Sequence, residues 1–328
     1  MANYTSNTLG IYNVSNPAAP TAIGSVATGA GPISVYVQGN YAYVANYTSN
    51  TLSIYDISNP TAPTAVGSVA TGTNPRSVYA QGNYAYVANE TSNTLGIYNI
   101  SSPAAPTAVG SVATGTSSSP TSVYAQGNYA YVANQGNNTL GIYNISNPAT
   151  PTAVGSVATG TTPLSVYAQG NYAYVANLNS STLSIYNVSN PTAPTAVGSV
   201  ATGTNPHSVY VQGNYAYVAN YGSNTLGIYN ISNPAAPTAV GSVATGTNPR
   251  SVYVQGNYAY VANYGSSTLG IFDLGGTYTQ SLQAGSTETS SLQVDSNANI
   301  SGNASVQGGL SVGCRYLPGH RYLGCCCH

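Results

Sequence analysis

Groups capable of acid–base, nucleophilic or metal chemistry are scarce in this sequence. Its acids are Asp56, Glu90, Asp273, Glu288 and Asp295, and its bases before residue 314 are Arg76, His207 and Arg250. Those three bases share one setting, directly after a Pro and directly before a Ser. Gathered in space they would form a positive focus, strengthened by low-dielectric walls. Arg is suited to bidentate contact with carboxylate or phosphate, so an acidic sugar or a carboxylate is the ligand such a focus would take. No pair of carboxylates recurs, no Gly-rich loop precedes a helix and no oxygen-rich calcium loop is present. General acid–base and nucleophilic catalysis need such groups within hydrogen-bond reach. The expectation is a non-enzymatic chain with no cofactor and no metal site.

The C-terminal stretch 314–328 breaks with everything before it. All four Cys lie there, together with His320, His328, Arg315 and Arg321. Thiolate and imidazole are good zinc ligands. However, Cys325, Cys326 and Cys327 are adjacent, lack Cys-x-x-Cys spacing and point their side chains apart. Only Cys314 lies outside that cluster, which gives no disulfide framework. An out-of-register reading end or an appended remnant accounts for the change, and no function is placed on these residues.

What must position the three bases is a repeat. Gly-Asn-Tyr-Ala-Tyr starts at Gly39, Gly82, Gly127, Gly170, Gly213 and Gly256, a step of 43 residues with one step of 45. A fixed period of this length signals a repeat architecture. Each unit holds four β-type runs, exemplified by Ser34–Gln38, Tyr41–Asn46, Thr51–Ile57 and Thr64–Ala70, rich in Val, Ile, Tyr and Thr. Gly39-Asn40 is a two-residue hairpin signal, since both residues tolerate positive φ. The prolines of Ser58–Pro63 forbid continued pairing between the third and fourth runs. No run carries helical spacing. Four antiparallel strands per unit, repeated head to tail, predict an all-β propeller over residues 1–284; a flat solenoid is the competing geometry.

Residues 7–28 supply only a third and a fourth strand, and Tyr278–Ala284 aligns with a fourth strand. Seven blade positions, six complete and one leading half blade, are expected, with six blades and a dangling hairpin as the alternative. In residues 285–313, Val294, Ile300, Val306 and Val312 sit six apart. This resembles the β-structured shafts of phage tail fibres and trimeric adhesins, and would offer a homo-oligomer contact. A flexible polar tail is the plainer alternative, and Ser291–Val294 and Ser305–Val312 are candidate strands for the incomplete blade.

The units Val35–Asn46 and Thr51–Pro60 resemble LVIVD repeats, related in pattern to YVTN-type propellers, over roughly residues 2–284. The resemblance implies a propeller, usually in surface or secreted proteins, with no shared enzymatic activity. Fold alone does not assign function.

Comparison of the units shows where they vary. The turn Gln38–Asn40 is invariant and Ser58–Pro63 nearly so. The connection before the first strand carries Ile33, Arg76, Thr121, Leu164, His207 and Arg250 at one equivalent place. The connection after the second strand carries Tyr47, Glu90, Gln135, Leu178, Tyr221 and Tyr264, with Tyr4 equivalent at the N-terminus. In an up-and-down blade these two connections emerge on one face, which is the candidate ligand face. Drift of exposed loops is the alternative explanation. The Tyr at 36, 41, 43 and 55, with their repeats, are expected to fill the space between blades.

Composition excludes several partners. Nine residues are charged, none is Lys, and the formal net charge is −1. A nucleic-acid binder needs a basic face that four Arg do not supply. No apolar run reaches the roughly 18–20 residues that span a bilayer. A surface of Asn, Ser, Thr, Gly and Tyr suits an immobilised protein on a cell surface, in a matrix or on a virion. Asn13, Asn46, Asn99 and Asn187 head Asn-x-Ser/Thr triplets, which follow from the repeat's own residue usage. Two readings stay open: a binding head holding a glycan or a surface protein, or a matrix protein that assembles without a dedicated ligand.

Overall fold

The computed structural model describes residues 1–275 as seven antiparallel sheets, with no helix among the described residues. Blade two shows the unit, with strands Pro32–Gln38, Tyr41–Asn46, Thr51–Asp56 and Thr64–Ala70 side by side in that order. Blades two to six repeat it. Blade one has three strands, Ala2–Asn3, Thr8–Asn13 and Thr21–Ala27, and blade seven has Pro249–Gln255, Tyr258–Asn263 and Thr268–Asp273.

The propeller is therefore seven-bladed, and the leading blade is fuller than expected. Ala2–Asn3 pairs with Thr8–Leu9, adding the end of a second strand to the third and fourth. The fourth-strand assignment Tyr278–Ala284, the tail 285–313 and the Cys-rich stretch 314–328 lie outside the described residues.

Alternation dictates the packing. On one flank of blade two, Tyr43, Ala45, Leu52 and Ile54 meet Val78, Ala80, Ala85 and Val87 of blade three, with Tyr98 and Ile100 closing the cluster. The same set recurs at each following joint. Burial of these side chains supplies the main stabilisation, at roughly 25 cal/mol per Å² of apolar surface.

Polar staples fix the register between blades. The Val78 N–H donates to Ser34 Oγ at 3.2 Å, and Gln38 Nε2 donates to the Gly82 carbonyl at 2.8 Å. Equivalent pairs join the remaining complete blades through to blade seven. Between the staples, Tyr36, Tyr79, Tyr124, Tyr167, Tyr210 and Tyr253 line up round the axis with centroids 4.4–5.0 Å apart. Burial, then the neighbouring phenols, push the Tyr36 and Tyr124 hydroxyls up.

The hairpin turn uses positive φ at the glycine alone, 58° at Gly39, and not at Asn40 as well. Asn40 instead turns its carbonyl to accept the Ile57 N–H at 2.8 Å, tying the hairpin to the end of the third strand.

Candidate functional site

In blades two to seven, backbone hydrogen bonds zip the two variable connections together. The Tyr47 N–H donates to the Gly31 carbonyl, Glu90 to Asn74, Gln135 to Ser119, Leu178 to Thr162, Tyr221 to Asn205 and Tyr264 to Asn248, at 2.8–3.1 Å. Both sets of varied residues therefore occupy the same face, at the inner strands.

The residues at the first varied position divide. Thr121 and Leu164 turn inward, 5% and 8% exposed. Thr121 Oγ1 donates to the carbonyls of Ala133 and Pro163, a joint contact that leaves it little to offer a ligand. Ile33 is half-buried. Arg76, His207 and Arg250 remain partly exposed.

Their charges do not simply add into the expected positive focus. Arg76 Nη1 lies 3.0 Å from both Glu90 oxygens, so its charge is neutralised by its own blade. His207 is held down to about 4, first by burial and then by the Arg250 and Arg76 charges, so the imidazole is neutral at pH 7. Its Nδ1 lies 3.1 Å from the Arg250 carbonyl. A carbonyl only accepts, so Nδ1 carries the proton and Nε2 presents the lone pair. His207 and Arg250 thus adjoin at the joint between blades six and seven, on the variable face.

Of these three, Arg250 is the partly exposed charge without an ion pair among the described residues. Its guanidinium carbon stacks 4.0 Å over the Tyr264 ring and 5.9 Å from that of Tyr221. Its Nε is buried without a hydrogen-bond partner. Glu90 and Tyr264 occupy the same place in their units, which is why one arginine is paired and the other is not. Tyr47 reaches Glu90 from the preceding blade, as Tyr221 reaches Arg250; burial and then the Glu90 charge push the Tyr47 hydroxyl up. Gln135 and Leu178 are partly buried on blades without a charged partner. Among the described residues no group of His, Cys, Asp and Glu could hold a metal ion.

The family comparisons fit this architecture. The LVIVD repeat model matches residues 4–28, 33–71, 205–245 and 247–273. The chain carries LVIVD repeats. Between those LVIVD segments, the model for the seven-bladed β-propeller lactonases matches residues 80–210. Among solved structures, a functionally unknown protein from Desulfotomaculum acetoxidans is 14% identical, with TM-score 0.73 over 83% of this chain and 90% of that one. A protein designated a 6-phosphogluconolactonase from Bacteroides fragilis is 18% identical, with TM-score 0.69 over 81% and 89%. The periplasmic gluconolactonase of Pseudomonas aeruginosa is 16% identical, with TM-score 0.61 over 71% and 75%. No curated protein matches the chain. At these identities the structural likeness is one of fold.

The expectation of a non-enzymatic chain is corrected by the match to the lactonase family model over residues 80–210. Motif reading along the chain missed the possibility because ionisable groups are sparse and distant in sequence. Arg76 meets Glu90, and His207 meets Arg250, without any local motif.

Proposed function

We propose that the channel mouth of the variable face binds a small sugar acid, or its lactone, through Arg250. The observation that carries this is the Arg250 guanidinium, stacked on Tyr264, beside Tyr221 and without a carboxylate partner among the described residues. Stacking takes the guanidinium's flat face and leaves its N–H edge for a carboxylate or phosphate. In isothermal titration, gluconate and 6-phosphogluconate should bind the full chain and fail to bind Arg250→Thr. Thr121 stands at the equivalent place, so that variant keeps a residue the unit tolerates. Undiminished binding by Arg250→Thr overturns the reading.

Lactone hydrolysis is a second reading, favoured by the lactonase match and by the His207 tautomer. His207 Nε2 would take a proton from water as the water oxygen bonds to the lactone carbonyl carbon. The ring C–O bond then breaks and the leaving oxygen recovers the proton, so no cofactor is needed. Acid release from δ-gluconolactone above the spontaneous rate, lost in His207→Leu, supports it; equal rates overturn it. The near absence of charge supports display on a surface or a virion fibre, where either ligand chemistry can operate.

A further inference from the structure

Tyr4, Tyr47, Tyr221 and Tyr264 look unrelated in the chain, two near each end. In the ring they belong to blades one, two, six and seven: blades one and two adjoin, as do six and seven, and the two pairs flank the junction between the first blade and the last. Glu90, Gln135 and Leu178 hold the same place in blades three, four and five. Tyr4 is 39% and Tyr264 46% exposed, among the most exposed large apolar side chains described. The Tyr4 ring lies 3.2 Å from where a Cβ at Gly31 would stand, and the Gly31 carbonyl accepts the Tyr47 N–H, while Tyr221 and Tyr264 both face Arg250.

A second, independent feature follows the same four blades. In each, an exposed Ser two residues after the Tyr shares a hydrogen bond with a Thr hydroxyl: Ser6 with Thr8, Ser49 with Thr51, Ser223 with Thr225 and Ser266 with Thr268, at 3.0–3.3 Å. The other three blades use that site differently. Ser92 and Ser180 accept backbone N–H groups of Thr73 and Thr161, and Asn137 accepts from Thr139. These four blades thus each carry one Tyr two residues before one pair of bonded hydroxyls.

We infer that this arc is a subsite track for an extended oligosaccharide, whose acidic end lies at Arg250. Sugar rings carry an apolar C–H face and a rim of hydroxyls, the complement of a phenol face with a hydroxyl pair at its edge. A ligand made of repeating units suits a surface that repeats blade by blade. Rigid Tyr contacts lose little conformational entropy on binding. A protein partner is disfavoured because the arc offers one unpaired charge and so little charge complementarity to select a protein surface. Only the acidic end rests on the channel-mouth reading.

The test is binding of the full chain to an array of neutral and uronate-terminated oligosaccharides in matched lengths of one to six units. Affinity should rise at least tenfold from one to four units in at least one series. Tyr4→Gln and Tyr47→Gln together should remove that gain and leave monosaccharide binding unchanged; Gln135 shows that the unit accepts Gln there. Arg250→Thr should remove the uronate preference and keep the length gain, which separates failure of the mouth from failure of the arc. No binding in any series, no length dependence, or a length gain that survives the double variant overturns the inference. So does binding of a protein partner that is lost in the same double variant.

Discussion

At the level of single residues, the unit contains its own control experiment. Arg76 and Arg250 stand in equivalent settings and differ by what faces them, Glu90 or Tyr264. Tyr264→Glu should therefore capture Arg250 in an ion pair and abolish gluconate binding with little change in Tm. Glu90→Tyr should release Arg76 and raise the number of gluconate sites from one to two by titration. His207 gives a pH prediction. Its ordinary value is 6.5 and it is held at about 4 in the fold, so the unfolded chain takes the proton first. The stability His207 contributes is full above about pH 6.5 and is lost as pH falls from 6.5 towards 4. The loss is on the order of 1–3 kcal/mol. The fall in Tm between pH 7.5 and 4.5 should be smaller in His207→Leu, whose side chain is the one Leu164 presents. Equal falls in the two proteins would mean that the imidazole is not shielded. The equivalence of positions 76, 207 and 250 was legible in the sequence. The Arg76–Glu90 pair was not, because it depends on the hydrogen bond that zips two loops fourteen residues apart.

At the level of elements, the strand pattern was legible because residues that alternate in the sequence alternate in burial. The irregularities were not. In each complete blade the register shifts between third and fourth strands, as at Ile54/Tyr55, and alternation on both sides hides it. The turns place Asn or Ser in the left-handed region, as at Asn50 with φ 56° and Asn93 with φ 54°. Thr162 is the exception, a β-branched residue at φ 61° in a place held by Asn in three other units. Such a backbone costs a Thr about 1–3 kcal/mol. Thr162→Asn should raise Tm by a few degrees, and a lowered Tm would mean that the hydrogen bond from Asn179 Nδ2 to Thr162 Oγ1 outweighs the strain. Gly198 has the opposite constraint. A Cβ there would overlap the Pro234 carbonyl of the next blade. Gly198→Ala should cost more than about 1 kcal/mol by forcing two blades apart, read as a lowered denaturant midpoint.

At the level of the whole molecule, seven blades were legible because the 43-residue period survives nearly unchanged. The pairing of Arg76 with Glu90 and of His207 with Arg250 was not, because these groups are distant in sequence and meet only across loops or blades. The staples make the joint a shared property of the ring. Gln126→Ala removes a donor to the Gly170 carbonyl at 2.9 Å and should cost about 0.5–1.5 kcal/mol, lowering one cooperative transition rather than splitting it. The same staples have a consequence for how the chain finds its fold. Every joint uses the same Ser, Gln, Tyr and apolar contacts, so a nascent blade meets several docking partners of nearly equal merit. A chain that joins blade three to blade five satisfies each local contact and strands blade four outside the ring. Such a landscape holds near-degenerate traps separated by whole units. Refolding from denaturant should thus be multiphasic, with a slow phase that reflects undocking of wrongly joined blades. At high concentration, blades of two chains should interleave through the same ambiguity.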